Sequence, residues 1–104
     1  MSDFRRVCSV DQLEEGKSFP TEVDEYEILL VRTDGEIFAV EDRCSHADIP
    51  LALGHILPEQ RIKCQIHGAE FCLRTGKPLC APAFAPVRTF AVKVEDGGVW
   101  VDVG

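Results

Sequence analysis

The sequence has 104 residues, 45% of them hydrophobic and 28% charged, and this balance predicts one globular domain with a modest core. The formal net charge of −7 argues against binding to nucleic acid or anionic lipid and favours a partner with a basic surface. No apolar run is long enough to span a membrane, and the first residues lack the apolar stretch of a secretory signal, so we expect a cytoplasmic protein.

Short β-rich runs bounded by turn residues occupy most of the chain, and no window predicts a helix of more than about two turns. Ser9 followed by Gln12 predicts a brief capped turn that ends before Gly16. The predicted strands, in chain order, are 4–8, 17–23, 26–32, 36–41, 56–57, 61–63, 70–73, 77–79, 87–95 and 99–103. The sequence therefore predicts an all-β fold.

Turn residues indicate how these strands are joined. Asp34-Gly35 between two β-rich runs is a strong hairpin signal, and further hairpins are predicted at 74–76 and 96–98. Pro20 cannot donate a backbone hydrogen bond, so its strand is expected at a sheet edge.

One face of the predicted strand 87–95 is expected to be buried. Phe90, Val92 and Val94 alternate there with Thr89, Ala91 and Lys93, the period of a half-buried strand.

A repeated pairing of Cys with His lies in the middle of the chain. One residue separates Cys44 from His46, two separate Cys64 from His67, and seventeen lie between the pairs. Finger-type zinc sites usually take both Cys from one turn and both His from another, whereas the mixed pairs match a [2Fe–2S] centre in which two His replace two Cys on one iron. We therefore predict these four residues as ligands of an iron–sulfur cluster, with a zinc-stabilised interaction module as the alternative. His55 has no Cys at a matching distance and is predicted to lie in a surface loop.

The remaining cysteines, Cys8, Cys72 and Cys80, are predicted to be buried or free thiols of a cytoplasmic protein. A disulfide between Cys72 and Cys80 is the alternative.

The pattern Cys-x-His, seventeen residues, Cys-x-x-His resembles the signature of the Rieske proteins, and residues 74–77 and 95–97 are also similar to that family. The resemblance implies a single domain over 1–104 with the Rieske fold, an antiparallel β-sandwich base carrying an inserted cluster-binding subdomain at about 43–81. It also implies one [2Fe–2S] cluster held by Cys44, His46, Cys64 and His67. The proline-containing segment 78–86 would cover the cluster.

A free-standing chain of this size resembles the ferredoxin component of bacterial aromatic-ring-hydroxylating dioxygenases. That resemblance implies a monomeric one-electron carrier without a catalytic site of its own. It would take electrons from an NAD(P)H-dependent flavin reductase and pass them to the terminal oxygenase, with His46 and His67 as the exposed ligands. The small Rieske subunit of an assimilatory nitrite reductase is the alternative.

The same resemblance implies a low reduction potential. High-potential members of the family have two additional cysteines that form a disulfide, and those positions are Ile49 and Ile66 here. They also have a Ser and a Tyr whose hydroxyls donate to the sulfur atoms, and those positions are Ala69 and Phe71. Donors to sulfur stabilise the added electron, so we expect a potential on the order of −150 mV, near the bottom of the Rieske range.

Overall fold

The computed structural model describes residues 3–43, 49–65, 68–79 and 85–104, which contain ten β-strands, two short 3-10 helices and no α-helix. In chain order the elements are β1 (Phe4–Ser9), η1 (Val10–Gln12), β2 (Lys17–Val23), β3 (Tyr26–Thr33), β4 (Glu36–Glu41), η2 (Leu51–Leu53), β5 (His55–Leu57), β6 (Arg61–Lys63), β7 (Glu70–Cys72), β8 (Thr89–Phe90), β9 (Val92–Glu95) and β10 (Gly98–Asp102). The all-β prediction is confirmed. Within the described ranges, no helix has the length and apolar character needed to cross a membrane.

These strands form three antiparallel sheets. Two of them, with strand orders β1-β10-β9 and β2-β3-β4-β8, combine elements from both ends of the sequence. The third, which we call the small sheet, has the order β5-β6-β7 and lies between β4 and β8 in the chain. β2 is an edge strand, as Pro20 predicts.

Strand β3 divides the hydrophobic interior into two cores. Its central residues Ile28, Leu29, Leu30 and Val31 are all fully buried, and successive side chains of a strand point to opposite faces. Ile28 and Leu30 pack in a core with the β10 side chains Val99 and Val101, among others. The second core lies on the other face of β3, where Leu29 and Val31 point.

The second core joins the small sheet to the rest of the protein. Leu29 and Val31 of β3 pack there with residues of the small sheet and its flanks. Its remaining buried members are Phe38, Val40, Leu51, Ile62, Cys64, Ala69, Phe71, Leu73 and Val87. Because full burial of one large apolar side chain contributes about 1.5–3 kcal/mol, this shared core holds the small sheet firmly against β3 and β4.

The hairpin between β3 and β4 turns at the residues that predict it. Asp34 and Gly35 have φ angles of 54° and 75°, as a two-residue type I′ turn requires, and Thr33 pairs with Glu36. The backbone N–H groups of Asp34 and Gly35 also donate to the Glu15 carboxylate, at 2.8 and 3.0 Å. The capped turn after β1 is confirmed as well, since the Ser9 N–H donates to Oε1 of Gln12 at 2.8 Å.

Two predicted strands differ from the observed ones. Residues 77–79 form no strand, and a single bridge joins Pro78 to Phe71, because proline cannot continue a ladder of hydrogen bonds. The predicted strand 87–95 is divided at Ala91 into β8, which pairs with β4, and β9, which pairs with β10. The change of sheet is made at Ala91, whose carbonyl oxygen accepts from the Asp102 N–H at 2.9 Å.

Because the predicted strand 87–95 is divided, only part of its predicted face is buried. Phe90 is 7% exposed and Val92 is half-buried, but Val94 is 55% exposed. Val94 belongs to β9, the edge strand of its sheet. The alternation of apolar and polar residues therefore extends to a position that is not buried.

Candidate metal centre

One of the four predicted ligands, Cys64, lies within the described residues, whereas Cys44, His46 and His67 lie outside them. Of the predicted covering segment 78–86, residues 78–79 and 85–86 are described and the others are not. Cys64 and the residues that flank both predicted ligand segments therefore define the described part of the site.

Cys64 directly follows β6 and is 1% exposed within the second core. Its backbone N–H donates to the carbonyl oxygen of Ala69 at 2.6 Å. This bond closes residues 64–69, which we call the ligand loop, at the end of the β6–β7 hairpin. Cys64 is in no disulfide, so its sulfur is available as a thiolate donor inside an apolar environment.

Gly68 gives the ligand loop its tight turn. Its φ of +69° lies in the left-handed region, where a residue with a Cβ is strained. A Cβ built on Gly68 would also lie 3.2 Å from Cε of Lys63. The position thus favours glycine for its backbone conformation, and the end of the Lys63 side chain lies close to it.

The two ends of the first predicted ligand segment are held to each other. The Ala52 N–H donates to Oδ1 of Asp42 at 2.9 Å, which joins the residues just before and just after that segment. The Asp42 N–H in turn donates to the Glu27 carbonyl at 2.9 Å, which fixes this point to β3.

The chain that follows the first predicted ligand segment runs alongside the strand that leads into the second. Gly54 packs so closely against the Lys63 carbonyl oxygen that a Cβ on Gly54 would overlap it, and His55 pairs with Lys63 in the small sheet. The chain that follows the first predicted ligand segment therefore enters the small sheet at β5, beside the strand β6 that leads into Cys64. His55 is exposed, as predicted, although it begins β5 instead of lying in a loop.

Cross-strand contacts brace the base of the ligand loop. Nη1 of Arg61 lies 2.7 Å from Oε1 of Glu70, and both side chains are partly buried. Sequence spacing does not indicate this pair, because it requires the register in which Lys63 faces Glu70 and Arg61 faces Cys72.

Arg74 connects the turn after β7 to β4. Its Nη2 lies 2.8 Å from both carboxylate oxygens of Glu36 and 3.1 Å from Oε1 of Gln60. Its guanidinium also lies over the Phe38 ring, with 5.2 Å between Cζ and the ring centroid. The small sheet is thus attached to β4 by an exposed polar contact as well as by the second core.

The other described cysteines are free thiols in different environments, as predicted. A hydrogen bond from the Thr75 hydroxyl lowers the pKa of Cys72, with backbone donors of Thr75 and Arg74 acting in the same direction. Burial raises the pKa of the Cys8 thiol. Cys80 lies outside the described residues.

The described residues of this region fit a site in which Cys and His side chains bind an iron–sulfur cluster. The buried thiol of Cys64, the closed ligand loop and the glycine at its turn are what a cluster ligand on a short loop requires. Among the described residues no group of three or more Cys, His, Asp or Glu side chains is arranged to hold a metal ion. Three of the four predicted ligands lie outside those residues, so the ligand set of Cys44, His46, Cys64 and His67 stays a prediction.

The protein belongs to the Rieske [2Fe–2S] domain family, whose sequence pattern matches residues 3–91. This finding confirms the family resemblance and favours a Rieske-type [2Fe–2S] cluster over the zinc alternative. The cofactor of the family is therefore the cofactor of this chain.

Relatives are ferredoxins of dioxygenases. The 3-phenylpropionate/cinnamic acid dioxygenase ferredoxin subunit of Photorhabdus laumondii subsp. laumondii is 42% identical over 97 residues, which cover 93% of this chain and 91% of that one. The ferredoxin of carbazole 1,9a-dioxygenase from Nocardioides aromaticivorans has a TM-score of 0.89 and 34% identity, covering 94% of this chain and 95% of that one. A ferredoxin in a complex of reduced oxygenase and oxidised ferredoxin of carbazole 1,9a-dioxygenase has a TM-score of 0.86 and 29% identity, covering 95% and 92%.

Proposed function

We propose that this protein is the one-electron carrier of a multicomponent aromatic-ring dioxygenase. It receives electrons from an NAD(P)H-dependent flavin reductase and delivers them to the Rieske centre of a terminal oxygenase. The observation that carries the proposal is a similarity to ferredoxin subunits over 93% of the chain, with a free, buried Cys64 on a closed loop.

The proposed ligands are Cys44 and Cys64 on one iron and His46 and His67 on the other. The tie between Asp42 and Ala52 and the contact of Gly54 with Lys63 support this set, because they bring the chain after the first ligand segment beside the strand that leads into the second. We place the ligands in an inserted subdomain, at about 43–81, of a single domain over 1–104. When bound, the cluster supplies a one-electron couple whose mixed ligands leave it near neutral in the oxidised state.

The surrounding side chains keep water from the buried side of the ligand loop. Leu51, Ala69 and Phe71 are fully buried around Cys64 in the second core. Low local polarity favours electron transfer to a neutral centre over a strongly anionic one, which is the advantage of the mixed ligand set. His46 and His67 are the proposed exposed ligands through which electrons leave.

An acidic surface lies beside the first ligand segment and supports docking to a basic partner. An open basin of about 450 Å³ has carboxylates on most of its wall, and Arg43 is the basic residue in it. Its carboxylates are Glu22, Asp24, Glu25, Glu27 and Glu41. A second basin, of about 210 Å³, continues from Glu27 and Asp42 to Ile49 and Pro50. Charge steering of this kind speeds encounter without tight binding, as a carrier that must dock and release requires.

We further propose that the carrier is a cytoplasmic monomer and that catalysis belongs to the terminal oxygenase. The aromatic substrate is then bound by the oxygenase, so no residue of this chain selects it.

The test is reconstitution of electron transfer. The purified protein is mixed with a flavin-dependent ferredoxin reductase, NADH and the terminal oxygenase of a phenylpropionate-type dioxygenase, and dihydroxylated product is measured by chromatography. Product that depends on this protein, and that is lost with His46→Ala, is the expected result. Oxidation of NADH without product, together with electron delivery to a sirohaem nitrite reductase, would contradict the proposal and favour the nitrite reductase alternative.

A further inference from the structure

Lys63 is the last residue of β6 and immediately precedes Cys64. Its side chain is half-buried and runs along the ligand loop. Cε of Lys63 lies 3.2 Å, and Nζ 3.9 Å, from the position that a Cβ on Gly68 would occupy. The ammonium group therefore lies against the loop that carries Cys64.

The small sheet fixes the backbone from which the Lys63 side chain extends. Lys63 is in the central strand of the small sheet and pairs with His55 on one side and with Glu70 on the other. Gly54 is in contact with its carbonyl oxygen, so this part of β6 has little freedom to move. The sheet thus holds the start of the Lys63 side chain beside the ligand loop, and the side chain extends from there to Gly68.

The Lys63 charge is not neutralised by any carboxylate of the described residues. Its cross-strand neighbour Glu70 is bound by Arg61 at 2.7 Å, and no described carboxylate oxygen lies within 4.0 Å of Lys63 Nζ. In a chain with a net charge of −7, Lys63 therefore places against the ligand loop a positive charge that no carboxylate of the described ranges pairs with.

We propose that Lys63 tunes the reduction potential of this protein upward through its charge. The reduced centre carries one more negative charge than the oxidised one, so a fixed cation nearby stabilises the reduced state more. A half-buried cation is screened less by salt than an exposed one. Lys63 then partly replaces the hydroxyl donors that Ala69 and Phe71 cannot supply. The inference rests on the proposed function only in requiring that the cluster is bound at the ligand loop.

The test compares Lys63→Met with Lys63→Arg and with Lys93→Met. The methionine variant keeps the aliphatic stem and removes the charge, and the arginine variant keeps the charge. Lys93 lies in β9, in a different sheet from Lys63, and its replacement changes the net charge by the same amount. For each variant the fraction reduced is measured at equilibrium with a redox dye of known potential, and EPR of the reduced protein reports cluster content.

We expect Lys63→Met to lower the equilibrium constant for reduction about threefold or more, where tenfold corresponds to 59 mV for one electron. Lys63→Arg and Lys93→Met should stay close to the wild type. Equal constants for wild type and Lys63→Met, both with a full EPR signal, would overturn the inference and leave the proposed function intact. A wild type without a Rieske EPR signal would overturn both.

Lys63→Gln is the second neutral variant. If Lys63→Met loads poorly, a lowered constant in Lys63→Gln supports the inference. Loss of the cluster from both neutral variants would overturn it, because Lys63 would then serve assembly of the site and not its potential.

Discussion

The backbone N–H of Cys64 donates to the carbonyl oxygen of Ala69 across 2.6 Å, and both residues are buried in the same core. This bond follows the last residue pair of β6 and β7 and joins the two ends of the ligand loop. Cys64 is therefore held by the sheet and by the core together. We expect the residues around the loop to tune the reduction potential of the centre.

The two buried positions without hydroxyls, Ala69 and Phe71, are predicted to keep the potential low. Both are fully buried in the core that contains Cys64. Ala69→Ser combined with Phe71→Tyr should raise the potential from a wild-type value on the order of −150 mV, because hydroxyl donors to sulfur stabilise the reduced state. Voltammetry at neutral pH measures both proteins, with Phe38→Tyr as a control in which the added hydroxyl is on β4. A wild-type potential above zero would refute this explanation.

Electron transfer to a basic partner is predicted to slow as salt is added. The Debye length falls from about 10 Å at 0.1 M to about 3 Å at 1 M, so the attraction of the acidic basin is screened. We expect the second-order rate constant, measured by stopped-flow absorbance, to fall at least about threefold over this range.

A matched pair of variants locates that attraction. Glu25→Gln, in the basin, should reduce the low-salt rate, whereas Asp96→Asn, in the β9–β10 turn, changes the net charge equally and should reduce it less. A rate that does not depend on salt with either the reductase or the oxygenase would show that apolar contacts dominate docking.

Gly76 and Gly35 are predicted to tolerate alanine very differently although their φ angles are 76° and 75°. A Cβ on Gly35 meets no atom within 4 Å, whereas a Cβ on Gly76 would overlap the carbonyl oxygen of Val87. Gly35→Ala should cost about 1 kcal/mol for the left-handed backbone, and Gly76→Ala about 1–3 kcal/mol more.

Circular dichroism of the cluster-loaded proteins measures the difference as melting temperature. Each kcal/mol corresponds to about 4–8 °C for a domain of this size. Equal melting temperatures of the two variants would mean that the segment at Val87 moves away without cost.

The Cys72 thiol is predicted to react faster than the Cys8 thiol with iodoacetamide. The Thr75 hydroxyl lowers the pKa of Cys72, so at a given pH near neutrality more of this thiol is the reactive thiolate. Burial raises the pKa of Cys8 and slows its reaction. Thr75→Val should move the pH profile of Cys72 labelling to higher pH, as followed by peptide mass spectrometry. An unchanged profile would show that the hydroxyl has no influence on this thiol.

The fold was predictable from sequence where local signals decide it. The Asp34-Gly35 turn and the flanking strands are examples, because two-residue turns and alternation act over a few residues. The run Ile28–Val31 predicts a buried strand, but the sequence does not show that β3 separates two cores. The division of 87–95 at Ala91 was missed because alternation continues through it, and the choice of sheet depends on distant partners.

The candidate site is likewise predictable from sequence only where short-range signals decide it. Spacing alone predicts Cys64 as a ligand, since two donors on one short turn must be close in sequence. The ties of Asp42 to Ala52 and of Arg61 to Glu70 depend on loop closure and strand register, which short-range patterns do not encode. The position of Lys63 against Gly68 likewise appears only once the loop is closed.

We propose that Cys44, His46, Cys64 and His67 bind a Rieske [2Fe–2S] cluster, which EPR of the reduced protein detects by its characteristic signal. Each of the four is changed to Ala, with His55→Ala and Cys72→Ala as controls of the same residue types. We predict a Rieske-type signal in the wild type and in both controls, and its loss in each ligand variant, together with loss of the visible absorption or of the folded protein, because ligation contributes to folding. An intact Rieske signal in His46→Ala would contradict the assignment.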